Sequence, residues 1–340
     1  MEKIKNSMKN YFKNKSILIT GGTGSFGKTL VNFLLKHKFP LRRIIIFSRD
    51  ELKQFEMQKE INENKYKNIR YFLGDVRDSN RLKLAFDDVD MIVHAAALKH
   101  VPASEFNPFE FINTNIIGAQ NIIENAMSSG VKNVVALSTD KASSPINLYG
   151  ATKLCSDKLF ISANNIVGNR NIKFSVVRYG NVMGSRGSVL HSFLEQKKSG
   201  TFFITDKRMT RFNISLEESV SMVLWCLRNS LGGEILVPKL PSFYVIDLAK
   251  AISGRCKIKF IGIRAGEKIN EEMISEHDSV NTFDLGQYYA IVSEKIFNIY
   301  LKKGFKLVKN NFSYSSDKNN FLSTQKLKKI VEKFYLKNIN

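Results

Sequence analysis

The sequence is poor in cysteine, with three in 340 residues, at positions 155, 226 and 256. Their wide spacing argues against a disulfide framework and a zinc site, and it suits a reducing compartment. No apolar run reaches the roughly eighteen residues that a membrane-spanning helix needs. The first fifteen residues are charged and lack the apolar core of a secretory signal. We therefore expect a cytoplasmic protein without a membrane span.

Acidic residues are also scarce, because 31 Asp and Glu oppose 52 Lys and Arg and leave a formal charge of +21. Such an excess raises the question of a nucleic-acid partner. However, residues 1–15 carry a net charge of +4 and residues 300–340 a net charge of +8, so more than half of the excess lies at the two ends. We therefore expect no nucleic-acid partner, with attraction to a membrane surface or a polyanion as the alternative.

Hydrophobic residues make up 43% of the chain, and from Lys15 onwards short apolar runs alternate with helical patterns. This alternation predicts the α/β class, with a Rossmann-like, doubly wound parallel sheet. The predicted strands are Ile17–Ile19, Arg43–Phe47, Ile69–Leu73, Met91–His94, Val134–Leu137 and Phe174–Arg178. The predicted helices between them include Phe26–Lys36, Glu51–Asn62, Ser79–Phe86 and Ile112–Ser129.

The alternation loosens after Gly184, which suggests a division of the chain into parts. We expect residues 1–14 to be a polar, loosely ordered extension and residues 15–184 to be a dinucleotide-binding domain. Residues 185–340 would form a smaller substrate-binding portion with a helix near Thr324–Tyr335, and some of its segments would return to the sheet.

A glycine-rich turn follows the first predicted strand, with glycines at 21, 24 and 27 before a helix. Glycines at this spacing allow a tight turn and close approach of the backbone to a pyrophosphate, which the start of the helix attracts. The sequence therefore predicts a dinucleotide site. Its predicted contacts in this turn are Gly21, Thr23, Gly24, Ser25, Phe26 and Gly27.

The second predicted strand ends at Ser48, Arg49 and Asp50, about twenty residues past the last glycine, where the ribose of the cofactor is recognised. An acidic residue there favours NAD and an arginine favours the 2′-phosphate of NADP. We predict NADP rather than NAD, with Asp50 alternatively serving as a helix N-cap. Further predicted cofactor contacts are Asp75, Val76, Ala95, Ala96, Ala97 and Lys99.

Chemistry-bearing residues cluster from Thr139 to Lys153. Thr139 to Lys141 follow a buried strand, at the edge where open α/β sheets hold their ligands. Tyr149 and Lys153 lie four residues apart on the next predicted helix, so they share one face. A phenol beside an ammonium loses its proton more readily. We therefore predict that Thr139, Asp140, Lys141, Tyr149 and Lys153 are catalytic, and that Tyr149 and Lys153 also contact the cofactor.

These motifs resemble the extended short-chain dehydrogenase/reductase family over roughly residues 15 to 290; they are Thr20–Gly27, Asp75, His94–Ala97, Asn115, Ser138 with Thr139, and Tyr149 with Lys153. A narrower set resembles the soluble, inverting UDP-N-acetylglucosamine 4,6-dehydratases that begin pseudaminic acid synthesis: Leu98–Pro102, Thr139–Lys141, Arg178–Val182 and Gly184–Ser188. Ser143-Ser144 and Asp206-Lys207 depart from the pattern of that branch.

The resemblance implies an enzyme that removes water from a UDP-sugar with a tightly bound, recycled NADP. Tyr149, with its phenolate favoured by Lys153, would take the proton of the C4 hydroxyl, and Thr139 would bond the C4 oxygen. Lys141 would remove the C5 proton, and Asp140 would protonate the departing C6 hydroxyl. The implied substrate contacts are Lys99, Asn181, Arg186, Arg211, Arg264 and Glu267. A dimer-based homo-oligomer, up to a hexamer, is implied as well.

Two alternatives remain open from the sequence. A UDP-N-acetylhexosamine 4-epimerase shares the fold, the cofactor and the Tyr149/Lys153 pair, but it has no need of Asp140 and Lys141 for water loss. A non-catalytic nucleotide-binding protein with a Rossmann fold would keep the glycine turn. It would need neither the Tyr149/Lys153 pair nor the Asp140/Lys141 pair. Retention of the C5 configuration also stays possible, because geometry decides it.

Overall fold

The computed structural model describes residues 8–185 and 187–339, and its centre is a sheet of ten strands. The strands of the chain are β1 (Ser16–Thr20), β2 (Arg43–Ser48), β3 (Ile69–Leu73), β4 (Met91–His94), β5 (Asn133–Thr139), β6 (Lys173–Tyr179), β7 (Thr201–Ile204), β8 (Thr210–Phe212), β9 (Glu234–Pro238), β10 (Ser242–Tyr244), β11 (Lys257–Phe260), β12 (Glu272–Ile274), β13 (Thr282–Asp284), β14 (Tyr288–Val292), β15 (Lys306–Leu307) and β16 (Tyr314–Ser315).

Helices connect most of these strands. They are α1 (residues 8–12) and α2 (Ser25–Lys36), α3 (Glu51–Glu60), α4 (Ser79–Ala85), α5 (Val101–Phe106), α6 (Pro108–Ile112), α7 (Gly118–Ser128), α8 (Leu148–Ile166), α9 (Val189–Gln196), α10 (Leu216–Asn229), α11 (Val245–Ile252), α12 (Glu294–Lys302) and α13 (Thr324–Ile339). A wider π-helical turn, Asn113–Ile117, joins α6 to α7.

The central sheet has the order β15-β13-β14-β9-β6-β5-β4-β1-β2-β3. Strands β1 to β6 and β9 run parallel, whereas β14, β13 and β15 extend the edge in antiparallel fashion. All residues of β1 and β4 are buried, as expected for parallel strands with helices on both faces. The predicted α/β class with a doubly wound parallel sheet is confirmed.

The second half of the chain contributes to two regions. Strands β9, β13, β14 and β15 join the central sheet, so that sheet draws on both sides of the boundary predicted at residue 184. The remaining elements enclose a smaller core of their own, built on α9, β7, β10, α11 and α13, whose buried members include Phe193, Phe202, Phe243, Leu248 and Leu327. Across the described residues, no helix has the length and apolarity needed to cross a membrane.

The described part of the N-terminal segment differs from the expected loose extension. Residues 8–12 are helical, and the Phe12 ring is fully buried in the main core. The Tyr11 hydroxyl donates to the carbonyl of Leu227 (2.7 Å) and accepts from the Asn133 amide (2.7 Å). The prediction is therefore wrong for residues 8–14, because the aromatic pair outweighs the surrounding lysines; residues 1–7 lie outside the described residues.

We expect the Phe12→Ala substitution to lower the free energy of unfolding by about 3–5 kcal/mol, because it removes a fully buried ring from the core. Phe55→Ala is the control, since the Phe55 ring is 53% exposed, and it should change stability by about 0.5 kcal/mol or less. Urea unfolding followed by circular dichroism measures both. Equal effects of the two substitutions would show that the N-terminal segment is not part of the core.

Candidate active site

A cleft of about 820 Å³ lies at the carboxyl ends of β1, β2, β4, β5 and β6. Every residue predicted as catalytic or cofactor-binding lines it, and so do Lys99 and Asn181 from the predicted substrate set. This is the edge at which parallel α/β sheets bind ligands, because the loops between strands and helices meet there. The geometry therefore brings the two predicted groups of residues into one site.

The glycine turn lies between β1 and α2. Gly21 has φ +63°, and a Cβ there would come within 2.9 Å of the backbone nitrogen of Ala96. Gly24 is the N-cap of α2 and has no side chain to cap the helix, and the amides in the first turn of a helix have no acceptor within the helix itself. A Cβ on Gly27 would meet the Gly22 carbonyl at 2.5 Å. This turn fits a pyrophosphate, since backbone and helix end both face the cleft.

The carboxylate of Asp50 at the end of β2 is already engaged. It accepts the backbone N–H of Lys53 (3.0 Å) as the N-cap of α3 and pairs with the Lys53 ammonium. Ser48 is buried and accepts from the Gln54 amide (3.0 Å). The half-exposed Arg49 guanidinium lies 3.6 Å from Asp75. Asp50 is therefore a helix N-cap, which was the alternative role that the sequence offered for it. Arg49 lies at the rim of the cleft.

The small residues after β4 are held by hydrogen bonds. The Thr20 hydroxyl oxygen accepts the N–H groups of Ala95 (3.1 Å) and Ala96 (3.2 Å). Asn115, in the π-helical turn, accepts from the Leu98 N–H and donates to the Leu98 carbonyl (both 2.9 Å), and it also donates to Thr152 on α8 (3.0 Å). Asn115 thus fixes the backbone beside Lys99 relative to the helix that carries Tyr149.

Asp140 lies in a short turn directly after β5, and its side chain is 1% exposed. Its Oδ1 accepts from the Thr139 hydroxyl (2.9 Å) and from the Lys141 ammonium (3.1 Å). Its Oδ2 is buried without a partner among the described residues. Burial, reinforced by the charge of Glu271 and opposed by Lys141, raises the pKa of Asp140. The turn therefore favours a carboxyl group that holds a proton.

The Lys141 ammonium has a second carboxylate partner that the sequence analysis missed. It donates to Oε1 of Glu271 at 2.9 Å, and the Glu271 side chain is 2% exposed. Burial disfavours the charge on Lys141, but the carboxylates of Asp140 and Glu271 outweigh it and raise the pKa of Lys141. Glu271 lies 130 residues from Lys141 and belongs to no motif, so no sequence signal indicates it.

Tyr149 and Lys153 share the inner face of α8 and are both buried. Burial raises the pKa of Tyr149 to about 12, and the Lys141 charge and the Thr139 hydrogen bond act in the opposite direction. Lys153 donates to the Leu137 carbonyl (2.8 Å). Burial lowers its pKa, against the attraction of Asp157. The sequence analysis assigned to Lys153 the positive charge that lowers the pKa of Tyr149, whereas in the structure Lys141 supplies that charge.

The segment Gly266–Glu272 packs against residues 143–147, which lie between the turn that carries Lys141 and the start of α8. The Gly266 carbonyl accepts from Asn147, the N-cap of α8 (2.7 Å), and Lys268 donates to the Ser143 carbonyl (2.7 Å). The Glu272 carboxylate accepts from the hydroxyls of Ser143 (3.2 Å) and Ser144 (2.7 Å). These contacts position the turn that carries Asp140 and Lys141.

The predicted substrate residues have different surroundings. Asn181 lines the cleft with its Oδ1 buried and without a partner among the described residues. Arg211 donates to the carbonyls of Thr210, Ile269 and Lys268, and it is not among the described residues that line the cleft. Arg264 is exposed in the same loop as Glu267, which accepts from Thr205 (3.2 Å). Arg186 lies outside the described residues.

The parallel sheet, the glycine turn and the Tyr149/Lys153 pair define a short-chain dehydrogenase/reductase of the extended kind. A family model described as polysaccharide biosynthesis protein matches residues 17–293. The chain belongs to this family.

Several relatives cover nearly the whole chain. A Campylobacter jejuni protein named UDP-N-acetylglucosamine 4,6-dehydratase (inverting) is 54% identical over 91% of this chain and 94% of its own length. A Rickettsia bellii protein named UDP-glucose 4-epimerase is 41% identical over 94% and 96%. The X-ray structure of Pen from Bacillus thuringiensis is 36% identical, with a TM-score of 0.87 over 95% and 98% of the two chains.

We expect Gly21→Ala to weaken dinucleotide binding about ten-fold or more, because the new Cβ displaces the backbone of the turn. Gly168→Ala is the matched control, since Gly168 also has a positive φ (+58°) but its Cβ would meet nothing within 4 Å. Titration calorimetry with NADP and thermal unfolding measure both variants. Equal dinucleotide affinity in the two variants would contradict the placement of the cofactor at this turn.

Proposed function

We propose that this protein is an NADP-dependent UDP-N-acetylglucosamine 4,6-dehydratase that inverts C5. The observation that carries the proposal is the pairing of the buried Asp140 with the partly buried Lys141 beside Tyr149 in the cleft. Loss of water needs an acid for the leaving hydroxyl and a base for the C5 proton in addition to the groups that oxidise C4. The 54% identical Campylobacter jejuni relative bears that name.

The chain's own residues would divide the work as follows. Tyr149 would take the proton of the C4 hydroxyl, with Thr139 bonded to the C4 oxygen. The resulting 4-ketone acidifies the C5 proton, which Lys141 would remove, while Asp140 would protonate the C6 hydroxyl so that it leaves as water. A bound nicotinamide would supply an acceptor for the hydride of C4 and a donor of that hydride to C6. Protonation of C5 from the opposite face then inverts that carbon.

Recognition of the nucleotide sugar would fall to residues on the other side of the cleft. The Oδ1 of Asn181, which has no partner among the residues that the structure describes, can accept a hydrogen bond from the substrate. Lys99 would face its diphosphate or sugar; partial burial and repulsion from Lys141 lower the pKa of Lys99, so an anionic ligand would stabilise its charge. The product would be a UDP-4-keto-6-deoxy-N-acetylhexosamine, of use in the synthesis of nonulosonic acids such as pseudaminic acid and other surface glycans.

The second candidate is a UDP-N-acetylhexosamine 4-epimerase. The 41% identical Rickettsia bellii relative, named UDP-glucose 4-epimerase, favours it. An epimerase oxidises and reduces C4 and leaves C5 and C6 untouched, so it gives Asp140 no leaving group to protonate. The dehydratase gives both Asp140 and Lys141 a role in the reaction, and we prefer it for that reason.

The test is to incubate the purified protein with UDP-N-acetylglucosamine in deuterated water and to follow the products by NMR. A 4-keto-6-deoxy sugar with deuterium at C5 is the expected product, and its C5 coupling constants should report inversion. UDP-N-acetylgalactosamine without deuterium would move the protein to the epimerases. A retained C5 configuration would contradict the stereochemical part of the proposal alone.

The choice of NADP rests on Arg49, because Asp50 is engaged as a helix cap. We expect Arg49→Met to weaken NADP binding about ten- to hundred-fold, since a charge-assisted bond to phosphate contributes about 1.5–3 kcal/mol. Affinity for NAD, which has no 2′-phosphate, should stay within about two-fold. Arg255→Met, at an exposed position outside the cleft lining, is the control. A similar loss for both dinucleotides would contradict the assignment.

A further inference from the structure

Glu271 takes no part in the chemistry described above, yet it is buried beside it. It immediately precedes β12, in a segment held at both backbone groups: its N–H donates to the Ser316 hydroxyl (2.9 Å), and its carbonyl accepts the Ser316 N–H (2.8 Å). Its carboxylate is therefore fixed by the backbone and does not reach the site on a flexible loop.

The Glu271 carboxylate meets several charged groups from different elements. Lys141 donates to its Oε1 (2.9 Å), the Arg211 Nε of β8 lies 3.6 Å from the same oxygen, and Oε2 is buried without a partner among the described residues. Lys268, from the preceding loop, adds a further positive charge. Asp140 is the other carboxylate close to Lys141. One ammonium thus lies between two buried carboxylates.

We propose that Glu271 is a positioning residue for the elimination step: its carboxylate holds the Lys141 nitrogen and remains the ionised partner, so that Asp140 carries the transferable proton. Arg211 supports this division, because it lies beside Glu271 and stabilises that carboxylate in its charged form. Asp140 has no arginine of its own in the contacts described. The inference rests on the proposed dehydratase reaction and adds to it a residue outside the catalytic motif.

Glu271→Gln removes the charge and keeps the size of the side chain. Loss of a buried negative charge lowers the pKa of both Asp140 and Lys141, so both limbs of the pH profile of kcat should move to lower pH by about one unit or more. We also expect kcat to fall about ten-fold or more because the base is less well aligned, with KM nearly unchanged. If Glu271 had a purely structural role, its replacement by Gln would leave both limbs of the pH profile in place.

Glu272→Gln is the matched control, since it makes the same change of charge one residue away, where the carboxylate contacts only the Ser143 and Ser144 hydroxyls in the bonds described. The limbs of its pH profile should lie at the same pH as those of the wild type, whatever the level of kcat. Glu271→Asp keeps the charge, so it should leave the limbs in place while kcat falls. Unshifted limbs in Glu271→Gln would overturn the proposal.

A stability measurement keeps the proposal testable if Glu271→Gln folds poorly. Asp140→Asn imitates the protonated carboxyl and keeps an acceptor for Lys141, so its Tm at pH 7 should stay within about 2 °C of the wild type. Glu271→Gln leaves Lys141 and Arg211 short of a charged partner and should lower Tm by about 5 °C or more. A larger loss for Asp140→Asn would make Asp140 the ionised partner and overturn the assignment.

These outcomes separate the two proposals. A wild-type protein that does not dehydrate UDP-N-acetylglucosamine would contradict the proposed function, while the order of the two Tm values would still decide which carboxylate is ionised. Dehydration by the wild type, with limbs unshifted in Glu271→Gln, would leave the function standing and remove Glu271 from it.

Discussion

The site depends on the pairing of one partly buried ammonium with two buried carboxylates. A buried charge is tolerated only where partners compensate the loss of water, and Lys141 has Asp140 at 3.1 Å and Glu271 at 2.9 Å. Asp140 is the neighbour of Lys141 in the chain, whereas Glu271 arrives from 130 residues away. The catalytic turn is therefore complete only when the second half of the chain has folded against the first.

Contacts from other parts of the second half of the chain hold the segment that carries Glu271 in place. β12 pairs with β16, and the Ser316 backbone beyond it holds Glu271. The guanidinium of Arg211 spans the carbonyls of Lys268 and Ile269, which ties β8 to the same segment. Arg211, which the resemblance implied as a substrate contact, therefore also holds the segment that carries Glu271. Its buried hydrogen bonds account for an arginine at that position without a ligand.

Local sequence could predict strands β1 to β6 and the turn that carries Asp140 and Lys141, because short patterns of neighbouring residues indicate both. The strands from β1 to β6 are apolar runs, and Tyr149 and Lys153 follow helical spacing, so neighbours in sequence suffice. Tyr11 and Glu271 show the limit: each bonds to partners far along the chain, from a segment with no periodicity or motif. Asp50 shows a second limit, since capping and ribose recognition need the same residue at the same place, and only the contact with Lys53 separates them.

The charges of the site also constrain the rate. In the proposed reaction, elimination would require a protonated Asp140 and a neutral Lys141, and the surroundings raise the pKa of both groups. The surroundings thereby favour the acid form of Asp140 and disfavour the neutral, basic form of Lys141. The fraction of the protein with both groups in the reactive form depends on the difference between the two pKa values and not on either alone. Because Glu271 acts on both groups in the same direction, it moves the pH range of the reaction more than it changes that fraction. The contact between Glu271 and Lys141 would therefore set the pH range of the reaction. The contact between Asp140 and Lys141 would set the fraction of the protein that is ready to react.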